Sequence, residues 1–314
     1  MKRNSAAEHP LVSIISVNYN QSAVTLDMLA SLQRITYPNT EVIIIDNGSP
    51  DDNPDVIKER YPHIHLIKSR ENLGFAGGNN LGIRASSGDY LLLLNNDTEV
   101  DPGFLEPLVN KLRENNDIGA VSPKIYFTHT PGMLQYTGFS DINRYTIRNK
   151  GWGHSKMDEG QFNEDRLSYF AHGAAMMVPR EVIKKVGLLA DIYFLYYEEM
   201  DWGQRIRNAG YSICYVHNAI VYHKESVSTG KISPLKTYYM NRARLIFTKR
   251  NVKGINLVIA LCYQLLIAAP RNMLVFMIRG RFDLFRAYCK ALGWAFRNLF
   301  KKHLMTNPVL EANP

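Results

Sequence analysis

The sequence contains few cysteines and begins without an apolar stretch. Its three cysteines, Cys214, Cys262 and Cys289, lie far apart and lack the spacing typical of a metal site. They indicate no disulfide framework, which favours a reducing compartment. The residues before Pro10 contain no apolar core of a signal peptide. We therefore expect a cytoplasmic protein.

Three nucleotide-binding patterns are also absent. The turn after the first predicted strand has no G-x-G-x-x-G, which argues against a dinucleotide cofactor. The glycine-rich segment at residues 71–80 lacks the Lys-Ser/Thr ending of a P-loop, which argues against an ATPase. Residues 16–22 contain no Gly, Arg or Lys. A nucleotidyltransferase would carry a glycine-rich, basic triphosphate loop there, so this class is disfavoured.

The net charge is distributed unevenly along the 314 residues. Residues 231–314 contain 15 Lys and Arg against 2 Asp and Glu, a net charge of +13, whereas residues 1–230 contain 22 against 27, a net charge of −5. We expect an α/β body at 1–230 and a basic appendage at 231–314. Such an appendage is typical of proteins that bind a nucleic acid, an anionic membrane or an acidic ligand. The acidic body argues against a non-catalytic nucleic-acid-binding protein, so we expect no nucleic acid as partner.

A run of four leucines ends in three polar residues. Residues 90–94 are apolar throughout and are followed by Asn95, Asn96 and Asp97. Turn signals on both sides predict a strand buried on both faces at the centre of a parallel sheet. Ligands bind at the carboxyl ends of such strands. Asp97 therefore either belongs to a ligand site or caps a turn, because Asn and Asp are also ordinary turn residues.

The first part of the chain alternates between strands and helices. Strands predicted at 12–17, 41–45 and 64–67 are separated by helical segments, the order typical of a parallel sheet with right-handed crossovers. Asn18 and Asp46 follow the first two strands. A carboxylate at the end of the second strand can accept hydrogen bonds from a ribose or a base.

A glycine-rich segment at residues 71–80 follows the third strand. It contains Gly74, Gly77 and Gly78, and we expect the two amides Asn79 and Asn80 to begin the next helix. Helix N-termini favour phosphates, so the segment predicts an anion site. A glycine-rich turn with Asn caps is the open alternative.

Three carboxylates lie close together in the second part of the chain. Glu198, Glu199 and Asp201 open a predicted helix, where acidic side chains suit any first turn. Like charges this close also raise the pKa of a carboxyl, as a general base requires. Two strands predicted at 213–216 and 219–222 follow, and His223 ends the second. A lone histidine at a strand end is usually structural or solvated.

These segments, taken in order, resemble glycosyltransferase family 2 and, within it, the bacterial rhamnosyltransferase-like enzymes. The resemblance covers roughly residues 10–250 and rests on residues 12–20, 45–49, 72–80, 94–97, 194–202 and 219–223. It implies a GT-A fold, with a nucleotide-sugar-binding half at 10–115 and an acceptor-binding half at 116–230. It also implies an inverting transfer of a sugar from a nucleotide-sugar donor to a hydroxyl of a lipid-linked or polysaccharide acceptor.

The resemblance assigns residues to the donor site. The base and ribose of the donor would contact Val17, Asn18, Tyr19 and Asp46. The rest of the donor would lie against amides and glycine that follow the third and fourth strands, namely Asn72, Gly74, Asn79, Asn95 and Asn96.

The resemblance also implies a divalent metal, Mg²⁺ or Mn²⁺, and a carboxylate base. Asp97 would be the last residue of the family's D-x-D metal motif, and His223 would complete the metal site. Asn95 stands where the stricter motif has Asp, so either it contacts the sugar or a metal-bound water, or the metal is bound less tightly. Glu199 would be the catalytic base, and Glu198 is its close competitor.

The basic appendage contains two apolar patterns. Residues 255–269 are almost wholly apolar, but we expect Pro270 to interrupt them before they reach the roughly 20 residues of a spanning helix. From Phe282 onward, apolar residues recur at helical spacing beside Arg and Lys, the pattern of a helix in a membrane interface. We expect peripheral association with the anionic inner face of the cell membrane. The open alternative is a helix packed on its own domain or on a second subunit, as in a homo-oligomer.

Overall fold

One mixed sheet carries the polar strand ends that the sequence predicts. The computed structural model describes residues 8–224 and 232–310, and ten strands of that part hydrogen-bond into this sheet. Their order is β3-β2-β1-β4-β9-β6-β10-β5, with β7 beside β6 and β8 beside β10. The strands are β1 (Val12–Asn18), β2 (Thr40–Asp46), β3 (His65–Lys68), β4 (Tyr90–Leu94), β5 (Thr98–Val100), β6 (Ile118–Phe127), β7 (Leu134–Tyr136), β8 (Arg166–Ser168), β9 (Ala175–Pro179) and β10 (Ser212–His223).

Helices cover both faces of the sheet, which confirms the predicted α/β class. The helices of residues 8–224 are α1 (Ser22–Leu32), α2 (Asp55–Arg60), α3 (Gly74–Ala85), α4 (Leu105–Glu114), α5 (Arg180–Val186) and α6 (Glu198–Asn208), with a 3₁₀ turn at Asp191–Tyr193. The later helices are α7 (Pro234–Asn251), α8 (Gly254–Cys262), α9 (Ala269–Ile278) and α10 (Phe282–Asn298), with a π-helical segment at Tyr263–Ala268 and a 3₁₀ turn at Lys302–Met305.

Strand β4 is buried on both faces, as its leucine run predicts. Leu92 and Leu94 pack in the core that includes α1 and α4, whereas Leu91 and Leu93 pack in the core that includes α3, α5 and α6. The prediction of a parallel centre is only half correct, because β1 beside β4 is parallel and β9 is antiparallel. An apolar run indicates that a strand is buried, but it does not indicate whether the neighbouring strands are parallel or antiparallel.

Helix α3 begins earlier than predicted. It starts at Gly74, so Asn79 and Asn80 lie inside the helix, and the prediction that they begin it is wrong. The glycines explain the difference, because they let the helix lie close to the sheet. A Cβ atom at Gly78 would lie 3.1 Å from Val17 of β1, and one at Gly82 would lie 2.4 Å from Ile15.

The two strands predicted before His223 are one strand, β10. A register shift between Val216 and Ile220 absorbs the polar residues that suggested a break. Such an irregularity bends a strand without ending its pairing. Beyond it the register resumes, and His223 lies opposite Phe127 of β6 and Thr98 of β5.

The apolar segment after α7 is one continuous helix, so the predicted interruption at Pro270 is wrong. It runs over Gly254–Ile278 and is long and apolar enough to cross a membrane, by length and composition only. Proline lacks an N–H and its ring crowds the preceding helical turn. Here a π-helical segment, Tyr263–Ala268, directly precedes α9, and this wider turn accommodates Pro270. We call residues Gly254–Ile278 the apolar helix.

Helix α10 has two apolar faces. One face packs against α7 and is formed by Leu284, Ala287, Tyr288, Ala291 and Ala295. The other is the face predicted from the sequence, and on it Phe282 and Phe296 are exposed. The apolar helix is likewise exposed along much of its length, at Ile255, Val258, Ile259, Leu266, Ile267, Leu274, Met277 and Ile278.

A buried ion cluster joins α6 to α7. The carboxylate of Asp201 on α6 accepts hydrogen bonds from Arg205 Nε (3.0 Å), Arg250 Nε (2.8 Å) and Asn251 Nδ2 (2.9 Å). Burial alone would raise the pKa of Asp201, but Arg205 and Arg250 lower it below the ordinary value. The carboxylate is therefore ionised and paired, and it anchors the end of α7 to α6.

We expect Asp201→Ala to lower the free energy of unfolding by about 3–5 kcal/mol, because it leaves two arginines beside an empty buried position. Urea unfolding followed by circular dichroism measures the loss. Asp27→Ala is the matched control, since it removes one carboxylate from an exposed pair with Lys224 and should cost less than about 1 kcal/mol. Equal losses in the two variants would contradict the anchoring role.

Candidate active site

The carboxyl ends of three neighbouring strands are joined by side-chain hydrogen bonds. Asn18 Nδ2 at the end of β1 donates to Asp46 Oδ1 at the end of β2 (3.1 Å). Thr25 Oγ1 of α1 donates to Asn18 Oδ1 (2.8 Å) and accepts from Asn96 Nδ2 beyond β4 (3.1 Å). All four side chains are buried. The network brings the predicted residues together and holds Asp46 at the sheet edge.

Tyr19 presents an aromatic ring at the same edge. It follows β1 directly, and 37% of the residue is exposed. Asn20 next to it has a φ of +54°, in the left-handed region, so the chain turns sharply there. Val17 lies on the inner side, within 3.1 Å of the position of a Cβ on Gly78. The ring of Tyr19 is thus exposed and can contact a planar ligand, whereas Val17 packs beneath this edge against α3.

The amides of the glycine-rich segment stabilise the segment itself. Asn72 Oδ1 accepts hydrogen bonds from Gly74 N (2.9 Å) and from Asn47 Nδ2 (3.0 Å). Asn79 Nδ2 donates to the carbonyl of Phe75 (2.9 Å) inside α3, and Asn79 is buried. Asn72 therefore closes a turn just before α3, whose N-cap residue Leu73 makes no side-chain hydrogen bond, so the Asn caps of the open alternative are not seen. Asn79 has an internal partner.

Gly74 connects this segment to the one that precedes the carboxylates. Phe75 N donates to Phe194 O at 2.6 Å, and a Cβ at Gly74 would lie 2.3 Å from that same oxygen. Gly74 has a φ of +71°, which glycine tolerates best. Phe194, Tyr196 and Tyr197 also have positive φ values, between 65° and 70°. Such conformations cluster at functional sites.

The three carboxylates of α6 have different surroundings. Glu198 is buried, and within the described part of the chain its Oε2 has no hydrogen-bond partner. Burial and the neighbouring Glu199 raise the pKa of Glu198 well above its ordinary value. Glu199 is partly exposed, and burial raises its pKa as well. Because Asp201 is committed to the ion cluster, Glu199 is the carboxylate of the three that a substrate can reach.

Asp97 and His223 meet although they lie far apart in the chain. Asp97 Oδ1 is 3.0 Å from His223 Nε2, and both side chains are largely buried. His223 Nδ1 is 2.8 Å from Gln135 Oε1 of β7. Asn95 Nδ2 lies 3.5 Å from His223 Nε2, and Asn95 Oδ1 is buried without a partner among the described residues.

This donor set fits a divalent metal. A carboxylate oxygen, an imidazole nitrogen and an amide oxygen are all metal ligands, and Mg²⁺ or Mn²⁺ favours the oxygen donors. Two ligand atoms about 2.1 Å from one ion and at right angles would lie about 3.0 Å apart, close to the observed separation of Asp97 Oδ1 and His223 Nε2. No group of three or more His, Cys, Asp and Glu side chains suited to a metal occurs in residues 8–224 and 232–310. Asn95, water or substrate oxygens would therefore have to complete the coordination shell of the metal.

The segment at residues 172–174 lies between Glu199 and the pair Asp97–His223. Gly173 faces Glu199, since a Cβ at Gly173 would lie 3.5 Å from Glu199 Cγ. Ala174 O accepts a hydrogen bond from Asn95 N at 2.9 Å. The ring of His172 lies 6.1 Å from the ring of His223, and burial lowers the pKa of His172 to about 3. The segment thus places the predicted base and the predicted metal ligands in one site.

Sequence reasoning missed His172 and Gln135 as site residues. His172 precedes the buried strand β9, and Gln135 lies between Leu134 and Tyr136 in the short strand β7. A polar side chain inside such an apolar pattern was the available signal for Gln135. Its partner His223 comes from a distant strand, so residue types alone do not reveal the contact.

A cavity of about 620 Å³ lies on the opposite face of the sheet. Its lining includes Tyr126 and Tyr222, whose rings stack at 5.8 Å. Successive residues of a strand point to opposite faces, so Tyr222 and His223 belong to different surfaces. The cavity is therefore separate from the site that contains Asp97 and Glu199.

We expect Glu198→Gln to raise the melting temperature at pH 8, because it removes a buried carboxyl that the folded chain accommodates at that pH only as an unpartnered charge or by binding a proton. The raised pKa of Glu198 means that the folded chain binds this proton more tightly than the unfolded chain, so the wild type gains stability as the pH falls. The difference in melting temperature between the variant and the wild type should therefore decrease as the pH is lowered from that pKa to the ordinary value of 4.5. Differential scanning calorimetry across pH measures both effects, with exposed Glu59→Gln as the control. A melting temperature at pH 8 equal to that of the wild type would contradict the assignment.

Several known proteins have sequences similar to this chain. The family model for glycosyl transferase family 2 matches residues 13–187. The chain is 26% identical over 241 residues to the N-acetylglucosaminyl-diphospho-decaprenol L-rhamnosyltransferase of Mycobacterium tuberculosis, covering 70% of this chain and 78% of the relative. It is also 26% identical over 241 residues to the low-salt glycan biosynthesis hexosyltransferase Agl10 of Haloferax volcanii, covering 73% and 72%.

Solved structures share the fold at low sequence identity. The mannosyltransferase PcManGT of Pyrobaculum calidifontis, in complex with GDP-Man and Mn²⁺, superposes with a TM-score of 0.57 at 15% identity, over 93% of this chain and 76% of that one. GalNAc-T7 with UDP, GalNAc and Mn²⁺ superposes with a TM-score of 0.58 at 14% identity, over 79% and 52%. Since the family model covers more than half of the chain and the fold is that of GT-A enzymes, the protein belongs to glycosyl transferase family 2, and a rhamnosyltransferase is among the relatives to which it is similar.

Proposed function

We propose that this glycosyltransferase transfers a sugar, with inversion, from a nucleotide-sugar donor to a hydroxyl of a lipid-linked or polysaccharide acceptor. The observation that carries the proposal is the meeting of Asp97, His223 and the segment beside Glu199 at one sheet edge. A relative named for transfer to a diphospho-decaprenol-linked sugar supports the acceptor class. Structures of fold relatives with GDP-Man and Mn²⁺, or with UDP and Mn²⁺, support the donor class.

The donor would lie along the edge formed by β1, β2 and β4. Its base would stack on Tyr19, with Val17 below it, and its ribose would donate hydrogen bonds to Asp46. Asn18 and Asn96 support this surface through Thr25 rather than by direct contact. Asn79 donates to the carbonyl of Phe75 inside α3 and would not contact the donor. Gly74 and Asn72 would shape the loop beside the sugar.

Asp97 and His223 would hold a divalent metal, with Asn95 as the amide ligand or as a contact to the sugar. When bound, the metal supplies positive charge against the diphosphate leaving group. Asp97 and His223 each belong to a buried part of the sheet edge, so their positions are set before the donor arrives. That preorganisation lowers the cost of assembling the site.

Glu199 would act as the general base. Its carboxylate accepts the proton of the acceptor hydroxyl while that oxygen bonds to the anomeric carbon. The bond from the anomeric carbon to the diphosphate oxygen breaks on the opposite side, and the diphosphate leaves with its electron pair. The raised pKa of Glu199 suits proton abstraction near neutral pH, and acid should lower the rate by protonating this group.

We expect Glu199→Gln to reduce the rate of transfer by about 10²–10⁴-fold, because the amide cannot accept the proton. Donor affinity should change little, since the side chain keeps its shape. Transfer assays give the rate, and thermal stabilisation by the nucleotide sugar gives donor affinity. Glu198→Gln is the matched control. Loss of transfer in that control, with normal rates for Glu199→Gln, would move the base to Glu198.

We also propose that the enzyme works in the cytoplasm, held peripherally on the anionic inner face of the cell membrane. The exposed apolar helix and the outer face of α10 form one part of the support. The other part is charge, since exposed cations accompany these faces at Arg271, Arg279, Arg286, Lys290 and Arg297. Basic side chains beside an exposed apolar helix are typical of interfacial binding.

We expect the double change Leu266→Gln and Ile278→Gln to weaken binding to phosphatidylglycerol vesicles by at least about tenfold, because each lost apolar side chain forfeits about 1.5–3 kcal/mol of burial. These residues are 71% and 76% exposed, so folding should be unaffected. Vesicle co-sedimentation measures binding, and high salt should weaken it.

Leu167→Gln is the control for that experiment, since Leu167 is 64% exposed but belongs to β8, not to the apolar helix or α10. A wild-type chain that ignores anionic vesicles but dimerises through these faces would show that a second subunit covers them instead.

A further inference from the structure

Gln135 is a buried polar residue at the centre of an otherwise apolar strand. Leu134 and Tyr136 on either side of it in β7 are fully buried, and Gln135 itself is 4% exposed. Its backbone carbonyl accepts a hydrogen bond from His154 Nδ1 at 3.0 Å. Its side chain points to His223, with Oε1 2.8 Å from Nδ1 of that ring.

The contact with Gln135 determines where His223 carries its proton. An amide oxygen can only accept a hydrogen bond, so Nδ1 carries a proton. In the neutral ring Nε2 then carries a lone pair, whereas in the imidazolium both nitrogens carry protons. Asn95 Nδ2, which can only donate, lies 3.5 Å from the same Nε2 and agrees with this tautomer.

The proton on Nδ1 leaves an electrostatic conflict on the other side of the ring. Nε2 faces Asp97 Oδ1 at 3.0 Å, and a carboxylate oxygen also presents a lone pair. Two acceptors at this distance repel each other unless a cation lies between them or next to both, and that cation is either a proton on Nε2 or a metal ion. In both cases Gln135 keeps a proton on Nδ1, so Nε2 is the nitrogen left for the metal.

We propose that Gln135 is a positioning residue for the metal site, and that it holds His223 in the Nδ1-protonated tautomer with its Nε2 lone pair free for a divalent cation shared with Asp97. The inference rests on the metal ligands of the proposed function. Groups that fix a ligating histidine through its second nitrogen typically change metal affinity about 10–100-fold when they are removed. A neutral amide does this without adding a negative charge to the site.

The first experiment measures Mn²⁺ binding alone, by titration calorimetry or by the electron paramagnetic resonance of free Mn²⁺, on the full chain without donor. Gln135→Leu keeps a similar side-chain volume but removes the acceptor, so we expect the Kd for Mn²⁺ to rise about 10–100-fold. Gln135→Glu puts a carboxylate oxygen in place of the amide oxygen and adds a negative charge, so its Kd should stay at or below the wild-type value. Gln33→Leu, at an exposed position, is the matched control.

A second measurement records the tautomer directly and does not depend on metal. Nitrogen chemical shifts of the His223 ring, in the chain freed of metal by a chelator, distinguish Nδ1–H from Nε2–H. We expect Nδ1 to be protonated in the wild type and in Gln135→Glu, and Nε2 alone to be protonated, donating to Asp97, in Gln135→Leu. An unchanged tautomer in Gln135→Leu, or equal loss of Mn²⁺ affinity in the Leu and Glu variants, would overturn the inference.

Variants of the ligands separate this inference from the proposed function. If Asp97→Ala and His223→Ala lose Mn²⁺ while Gln135→Leu binds it normally, the metal site stands and the role of Gln135 is refuted. If Asp97→Ala binds Mn²⁺ as well as the wild type, the proposed metal site fails, and the inference with it. In the His223→Ala background, Gln135→Leu should cause no further loss, because the ring through which it acts is gone.

Discussion

The contact between Asp97 and His223 depends on the register of one short strand pair. Asp97 directly precedes β5, and Thr98, the first residue of β5, lies opposite His223 of β10. Lys224 N donates to Asp97 O at 2.9 Å, which closes the pairing. A shift of one residue would turn His223 to the other face of the sheet. The site thus requires that β5 follow β4 immediately and reach across to the far side of the sheet.

The helix that carries the proposed base gives its three carboxylates different surroundings. Successive residues of an α-helix point about 100° apart, so Glu199 points away from Glu198, whereas Glu198 and Asp201, three residues apart, share the buried side of α6. Glu198 faces the interior, Glu199 lies beside Gly173 and Asp201 lies beside Arg250. The charge repulsion expected from the sequence is therefore only part of the account, since burial contributes most to the raised pKa values of both glutamates.

Much of the sheet edge was predictable because polar residues that end apolar runs mark strand ends directly. Asn18, Asp46 and Asp97 belong to this class, and the burial of β4 followed from its leucines. The antiparallel β9 and the start of α3 at Gly74 depend on packing between distant segments, which a local pattern does not contain. The same holds for the continuous helix through Pro270, because the π-helical segment that accommodates it has no simple residue signature. Gln135 was missed for a related reason, since its role comes from one contact across the fold.

Only Val252 and Lys253 separate α7 from the apolar helix, and two residues span at most about 7 Å. The last residues of α7 are the ones that bind Asp201, on the helix that also carries Glu199. A surface that holds the apolar helix would therefore hold the proposed catalytic carboxylate, Glu199, at a set height and tilt, with no flexible linker between them. Acceptors would then be selected partly by the distance between their anchor and their terminal sugar. Such a length preference would need no residue in the pocket that recognises the spacer.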